Sequence, residues 1–93
     1  MHMKKAVRIY LTGDFQVLFF NKFIQENAER NDIRGFCRTL EDGRIELFIE
    51  GDQDKVEKMT ESCKAGQKYT KIKNAEVKEE KFQGFREFKI LHI

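Results

Sequence analysis

Gly13-Asp14-Phe15-Gln16-Val17-Leu18-Phe19-Phe20-Asn21 is the stretch on which the fold turns. Before it, Val7, Ile9 and Leu11 alternate with Arg8 and Tyr10, the period-two pattern of a half-buried strand. After it, Phe20, Phe23, Ile24, Asn27 and Ala28 recur at i, i+3, i+4, i+7 and i+8, the mostly apolar stripe of an amphipathic helix. This predicts a strand over 5–12, a short loop, and a helix over 20–31 that Asn31-Asp32 ends. A strand that passes through a loop into a helix sets up an anion site. The first helical N–H groups point outward without intrahelical partners.

Further along, a second strand is expected over 33–40. Glu41-Asp42-Gly43-Arg44 reads as a hairpin turn, because Asp-Gly suits the positive φ angles such turns need. A third strand over 44–50 alternates Ile45, Leu47 and Ile49 with Arg44, Glu46 and Glu50. Phe48 interrupts its polar face, which predicts that this face is partly covered. Asp52 is placed as the N-cap of a second helix, with Val56, Met59 and Cys63 as its stripe and Gly66 as its C-cap. A fourth strand is read over 71–80, where the odd step from Ile72 to Ala75 and Val77 predicts a bulge or bend. A fifth is read over 85–92, with Phe88, Ile90 and His92 on one face. The order β-α-β-β-α-β with an added last strand specifies an α+β fold. It is the ferredoxin-like βαββαβ sandwich, an antiparallel sheet with two helices on one face and right-handed crossovers.

Composition agrees with one such domain over residues 1–93. Hydrophobic residues make up 40%, with nine Phe, enough for one core and too many for a disordered chain. Met1-His2-Met3 has the form of a cloning remnant and is left out of the fold reading. A net charge of +2 with 37% charged residues describes a surface of mixed sign, which disfavours a dedicated nucleic-acid or membrane partner. No apolar run reaches membrane length and no signal-peptide pattern opens the chain, so the expected location is cytoplasmic. Cys37 and Cys63 fall on predicted elements without metal-like spacing and read as buried free thiols. No Cys, His, Asp or Glu cluster calls for a metal. His2 and His92, near the chain ends without evident partners, are given no catalytic role.

The opening stretch resembles the phosphate loop of the acylphosphatases, which reads G-R-V-Q-G-V-G-F-R before the same helix. Gly13, Gln16 and Phe20 match that loop. Val17 and Phe19 stand at its two inner glycines and Asn21 at its closing arginine. The resemblance runs without a gap from Val7 to Gly51. The family's F-R-x-F-V-x-x-x-A is Phe20-Asn21-Lys22-Phe23-Ile24 and then Ala28. Its G-W-V-R-N is Gly35-Phe36-Cys37-Arg38-Thr39, and its D-G-R-V-E-V-x-x-E-G is Asp42 through Gly51. Past Gly51 the match is looser: Val56, Gly66, Ile72, Val77 and Gly84-Phe85 fit, and the family's proline after the second helix is missing.

The resemblance implies hydrolysis of the carboxyl-phosphate bond of small acyl phosphates with no metal or organic cofactor. It implies that loop N–H groups and one arginine hold the phosphate while one asparagine positions the attacking water. The catalytic-equivalent positions are then Asn21 and Thr39. The phosphate-loop equivalents are Asp14, Phe15, Gln16, Val17, Leu18, Phe19 and Phe20.

These substitutions have physical consequences. Arginine offers a planar charged fork that matches phosphate oxygens, whereas Asn21 offers a neutral amide on a shorter stem. Losing one donor to a developing anionic transition state costs ~2.7–4 kcal/mol, or ~10²–10³ in rate. Thr39 brings one hydroxyl on a stiff stem where the family has separate amide donor and acceptor. Val17 disfavours the positive φ that a glycine takes freely. Phe19 adds a ring near the phosphate position, and Asp14 adds negative charge.

The expectation is an acylphosphatase-like domain without efficient hydrolysis that serves as a binding or interaction module, with residues 14–20 as its contact surface. A small phosphate or other anion remains a candidate ligand. The alternative is a functional acylphosphatase with a relocated cation. Lys22, one helical step and about 100° away from the arginine position, and Arg38, on the opposite strand face from Thr39, are the candidates. A further alternative is weak binding of RNA or an acidic partner. It rests on the lysines Lys64, Lys68, Lys71 and Lys73 and on Arg34-Gly35-Phe36 and Gly84-Phe85-Arg86-Glu87-Phe88, fragments of an RNA-recognition signature without its aromatic spacing. Phe82-Gln83-Gly84-Phe85-Arg86 is read as a turn into the last strand.

Overall fold

The alternation of Val7, Ile9 and Leu11 becomes strand β1 (Lys4–Phe15), with those three side chains buried and Arg8 and Tyr10 half-buried on the reverse. The computed structural model describes residues 3–67 and 70–92. After β1 come α1 (Val17–Arg30), β2 (Arg34–Thr39), β3 (Ile45–Asp52), α2 (Gln53–Ala65), β4 (Thr70–Glu80) and β5 (Phe88–Leu91). They form one five-stranded sheet in the order β4-β1-β3-β2-β5. Both helices pack on the face that presents Val7, Ile9, Leu11, Cys37, Ile45, Leu47 and Ile49. Phe20, Ile24 and Ala28 of α1 meet Val56, Met59 and Cys63 of α2 over that face. Fully burying a side chain of this kind stabilises by ~1.5–3 kcal/mol, so this layer carries most of the fold.

The βαββαβ order and the placing of both helices stand as expected. The sheet is mixed rather than antiparallel: β1 pairs antiparallel with β3 and β4, β2 antiparallel with β3, and β5 parallel with β2. The connection 81–87 crosses from the β4 edge to the opposite edge and re-enters in the direction of β2.

The largest boundary differences from the sequence reading fall in β1, α1 and β5. β1 runs on to Phe15, because Gly13, Asp14 and Phe15 pair with Ile72, Lys71 and Thr70 of β4. The predicted bulge makes this possible, since the register steps from Thr12↔Asn74 to Gly13↔Ile72 and leaves Lys73 without an opposite residue. A Cβ at Gly13 would lie 2.0 Å from the Lys71 carbonyl oxygen, so the strands close up there only around glycine. Next, α1 begins at Val17 rather than at 20. Finally, β5 begins at Phe88 rather than at 85 and ends before His92.

Phe85 has another use. Phe48 is fully buried on the sheet face away from the helices, stacked on Phe36 (ring centroids 6.1 Å apart) and against Phe85 (5.4 Å). The guanidinium of Arg8 lies 5.2 Å from the Phe48 ring, a cation–π arrangement. The cover expected over Phe48 is therefore supplied by Phe36, Phe85 and Arg8. At the edge of the sheet, Gln25 Nε2 of α1 donates to the Phe88 carbonyl at 3.1 Å. The hairpin closes as its Asp-Gly pair predicts, with the Gly43 N–H on the Leu40 oxygen at 3.0 Å and the Arg44 N–H on Asp42 Oδ1 at 3.0 Å.

Candidate functional site

The stretch that reads as a loop is divided between two regular elements. Asp14 and Phe15 end β1, Gln16 is the N-cap residue, and Val17, Leu18, Phe19 and Phe20 form the first turn of α1. The Phe20 N–H donates to the Gln16 carbonyl at 2.9 Å, so the helical ladder is already established there. Phe20 is buried, with its ring 5.4 Å from Phe15. Leu18 is 80% exposed and Phe19 55%, beside a partly exposed Val17. Water meets an apolar helix end where the resemblance implies a phosphate cradle.

Behind this end lies a pocket of about 230 Å³ lined by Val17, Leu18, Asn21, Arg38, Thr39, Ile90, Leu91 and His92. The fold thus brings Asn21 and Thr39 into one pocket. Asn21 sits in the second turn of α1, where its Oδ1 accepts the Cys37 thiol at 4.0 Å. Burial pushes the Cys37 thiol up to about 12. Cys63, also buried, is pushed up to about 12 by burial and then by its neighbour Cys37, and both thiols are free. Thr39 is the exposed last residue of β2, two positions from Cys37 and on the same sheet face.

The two relocated-cation candidates are placed differently. Lys22 is exposed and does not line the pocket. Arg38 lines the pocket, yet its Nε donates to Glu46 Oε1 on the opposite face of the sheet, as alternation along β2 requires. Glu46 is itself buried and receives Arg8 Nη1 at 2.5 Å, while Arg8 also holds Glu80 with Nε at 2.5 Å and Nη2 at 3.2 Å. Burial raises the Glu46 carboxyl, but the hydrogen bonds from Arg38 and Arg8 outweigh it and hold the group below its ordinary value.

Among the remaining sequence signals, Asp14 pairs with Lys73 at 3.6 Å and Lys64 with Glu61 at 3.6 Å; Lys68 lies outside the described residues. Phe36, Phe48 and Phe85 lie against one another, with ring centroids 5.4–6.1 Å apart. Gly84, at φ +78°, turns the segment 82–86 toward β5, as read from the sequence. Among the described residues no group of three or more His, Cys, Asp or Glu could hold a metal ion, and no helix is long and apolar enough to cross a membrane. Sequence reasoning passed over Ile90, Leu91 and His92 as pocket walls. They reach the pocket through the parallel pairing of Cys37 with Ile90 and Arg38 with Leu91, which no local pattern announces.

Comparison with known proteins agrees with the fold. The sequence profile of the family described as Acylphosphatase matches residues 7–90. An acylphosphatase of Syntrophobacter fumaroxidans is 38% identical over 81 residues, covering 87% of this chain and 84% of its own. One from Pyrobaculum arsenaticum is 36% identical over 93 residues, covering 98% and 97%. The crystal structure of acylphosphatase from Bacillus subtilis superposes with a TM-score of 0.87 at 27% identity, covering 97% of this chain and 100% of that one. With the profile spanning residues 7–90, the chain belongs to the acylphosphatase family.

Proposed function

We infer that this domain keeps the family's frame without efficient acyl-phosphate hydrolysis and acts as a binding or interaction module through the end of α1. One observation carries the reading. The polar groups at the family's two catalytic positions, Asn21 and Thr39, are neutral, while the guanidinium of Arg38 is committed to Glu46 across the sheet. A phosphoryl group in flight concentrates negative charge, and neutral donors stabilise it less than a charged fork does. The exposed Leu18 and Phe19 at the start of α1 support the same reading, since they favour an apolar contact.

A second reading follows from the relatives, whose names describe hydrolases of acyl phosphates: hydrolysis with the charge supplied by Lys22 or Arg38. The two readings part in one assay. Steady-state hydrolysis of a generic acyl phosphate by the purified chain at neutral pH is expected at least ~10³-fold below an ordinary acylphosphatase, from one lost donor and a mispositioned water. Turnover at the ordinary rate overturns the interaction-module reading. Loss of that turnover in Lys22→Met or Arg38→Met would then identify the cation.

A further inference from the structure

Residues 81–87 leave β4 at one edge of the sheet, cross the face opposite the helices and deliver β5 to the other edge. Their side chains do little to hold them there. Lys81, Phe82, Gln83, Gly84, Arg86 and Glu87 are exposed, and only Phe85 packs inward, 6.0 Å from Phe36 and 5.4 Å from Phe48. The backbone is held by Glu50. This fully buried side chain accepts the N–H groups of Gln83 at 2.7 Å, Gly84 at 2.7 Å and Phe85 at 2.9 Å. Successive amides folded around one anion form a nest, and charge-assisted bonds of this kind are about twice as strong as neutral ones.

Past the nest, β5 is held at the sheet edge by a parallel ladder of four residue pairs with β2, Gly35↔Phe88 to Arg38↔Leu91. β5 has four residues, of which Phe88 alone is buried. The Gly35 N–H holds the Glu87 carbonyl at 3.0 Å, and Gln25 of α1 holds the Phe88 carbonyl at 3.1 Å. The end of the same strand then supplies Ile90 and Leu91, followed by His92, to the pocket beside Asn21 and Thr39. One wall of the pocket therefore lies on a segment held by that edge ladder, by Phe88 and by a carboxylate on the far face of the sheet.

We propose that residues 81–92 form a latched flap, with Glu50 and Gln25 as its two latches, which opens as a unit while the rest of the sheet stays folded. Segments with few buried apolar contacts open below the free energy of global unfolding. Opening removes Ile90, Leu91 and His92 from the pocket and frees the edge of β2. By linkage, an occupant that touches Ile90 or Leu91 favours the closed flap. The proposal concerns the motion of the wall and stands whether or not the pocket serves as an interaction surface.

Native-state hydrogen exchange on the full chain, resolved by peptide fragments, tests it. In the natural protein the amides of 83–92 are expected to exchange at least about tenfold faster than those of 6–11 and 45–49. Glu50→Gln keeps the volume but removes the charge and turns one acceptor into a donor, so exchange over 83–92 should rise a further tenfold or more. Gln25→Ala loses only a half-buried side chain on α1, folds whether or not Glu50→Gln does, and should speed exchange over 88–92 while leaving 6–11 unchanged. Exchange over 83–92 that tracks the sheet centre in all the proteins that fold overturns the proposal. So does an unchanged rate over 88–92 in Gln25→Ala.

Discussion

The thiol of Cys37 donates to Oδ1 of Asn21 across 4.0 Å, tying the second turn of α1 to β2 at the position to which the resemblance assigns a guanidinium. A thiol is a weak donor, and this contact uses only the amide oxygen. Longer side chains at residue 21 must give up the contact and reach past Cys37 into the pocket. That relationship governs how an attempt to restore hydrolysis would behave.

Asn21→Arg with Thr39→Asn introduces the two side chains that the resemblance assigns to these positions but leaves Val17 and Phe19 in the first helical turn. Residues that act as a unit are strongly non-additive, so the double variant is expected to stay nearly inactive toward an acyl phosphate. Adding Val17→Gly and Phe19→Gly frees the backbone to turn its amides toward phosphate, and measurable hydrolysis and inorganic-phosphate binding are expected. Each added glycine should cost up to about 1 kcal/mol, so thermal melting is followed beside activity. Full activity in the double variant alone would show that the first turn of α1 was no obstacle.

Leu18→Glu separates surface function from stability. Leu18 is 80% exposed in the first turn of α1, so little packing is lost. A carboxylate there meets the positive end of the helix dipole, in a turn that carries no acidic residue. Stability is expected to rise by ~0.3–1 kcal/mol in denaturant titration, while any complex made through the apolar end weakens. A loss above about 1 kcal/mol would mean that Leu18 packs in solution.

Acid should act through Glu46. Its folded pKa is held below the ordinary glutamate value of 4.5. The stabilisation is therefore complete above that value and is lost as pH falls through the folded one. The natural protein should lose stability on acidification below about pH 4.5, and Glu46→Gln should lose less over the same interval. At neutral pH the variant starts lower by ~1–3 kcal/mol, because Arg8 and Arg38 lose a charged acceptor. Denaturant midpoints at several pH values measure both effects, and parallel curves for the two proteins would remove Glu46 as the cause.

Thiol reactivity should report unfolding. Burial holds Cys37 and Cys63 at about 12, so little thiolate forms at neutral pH and reagent access is closed as well. Labelling by a disulfide reagent is expected to be slow in buffer and to follow the unfolding transition in denaturant. Rapid labelling of either cysteine in buffer would reveal an opening of the core between β2 and α2.

Much of this architecture is legible in the sequence because its signals are local. Alternation along β1 and β3 assigned their faces, the odd step in β4 located the bulge, and Phe48 on a polar face announced its cover. The same alternation put Arg38 on the face away from Thr39, where Glu46 takes it. Long-range pairing escaped. β5 is too short to show a period, and its parallel partner is fixed by the nest at Glu50 and the Gly35 contact to Glu87. The start of α1 escaped for a different reason. Val17, Leu18 and Phe19 fit a helix as readily as a loop, and only the pairing of Gly13 to Phe15 with β4 decides it. The joint position of Asn21 and Thr39 was read from a family resemblance, and the residues alone would not have joined them.

Gly35 has φ +138°, and a Cβ built on it would lie 1.8 Å from the Phe48 carbonyl oxygen. No rotamer relieves a collision with backbone, so in a saturation library this position should accept glycine alone. Asn21 and Thr39 sit in a pocket open to water and should accept many residues. Mutational tolerance is thus divided unevenly along β2: Gly35 is closed to change, and Thr39 at the strand's far end is open to it. A chain built this way can exchange one chemistry for another without altering its shape, and β2 is where new side chains could be grafted.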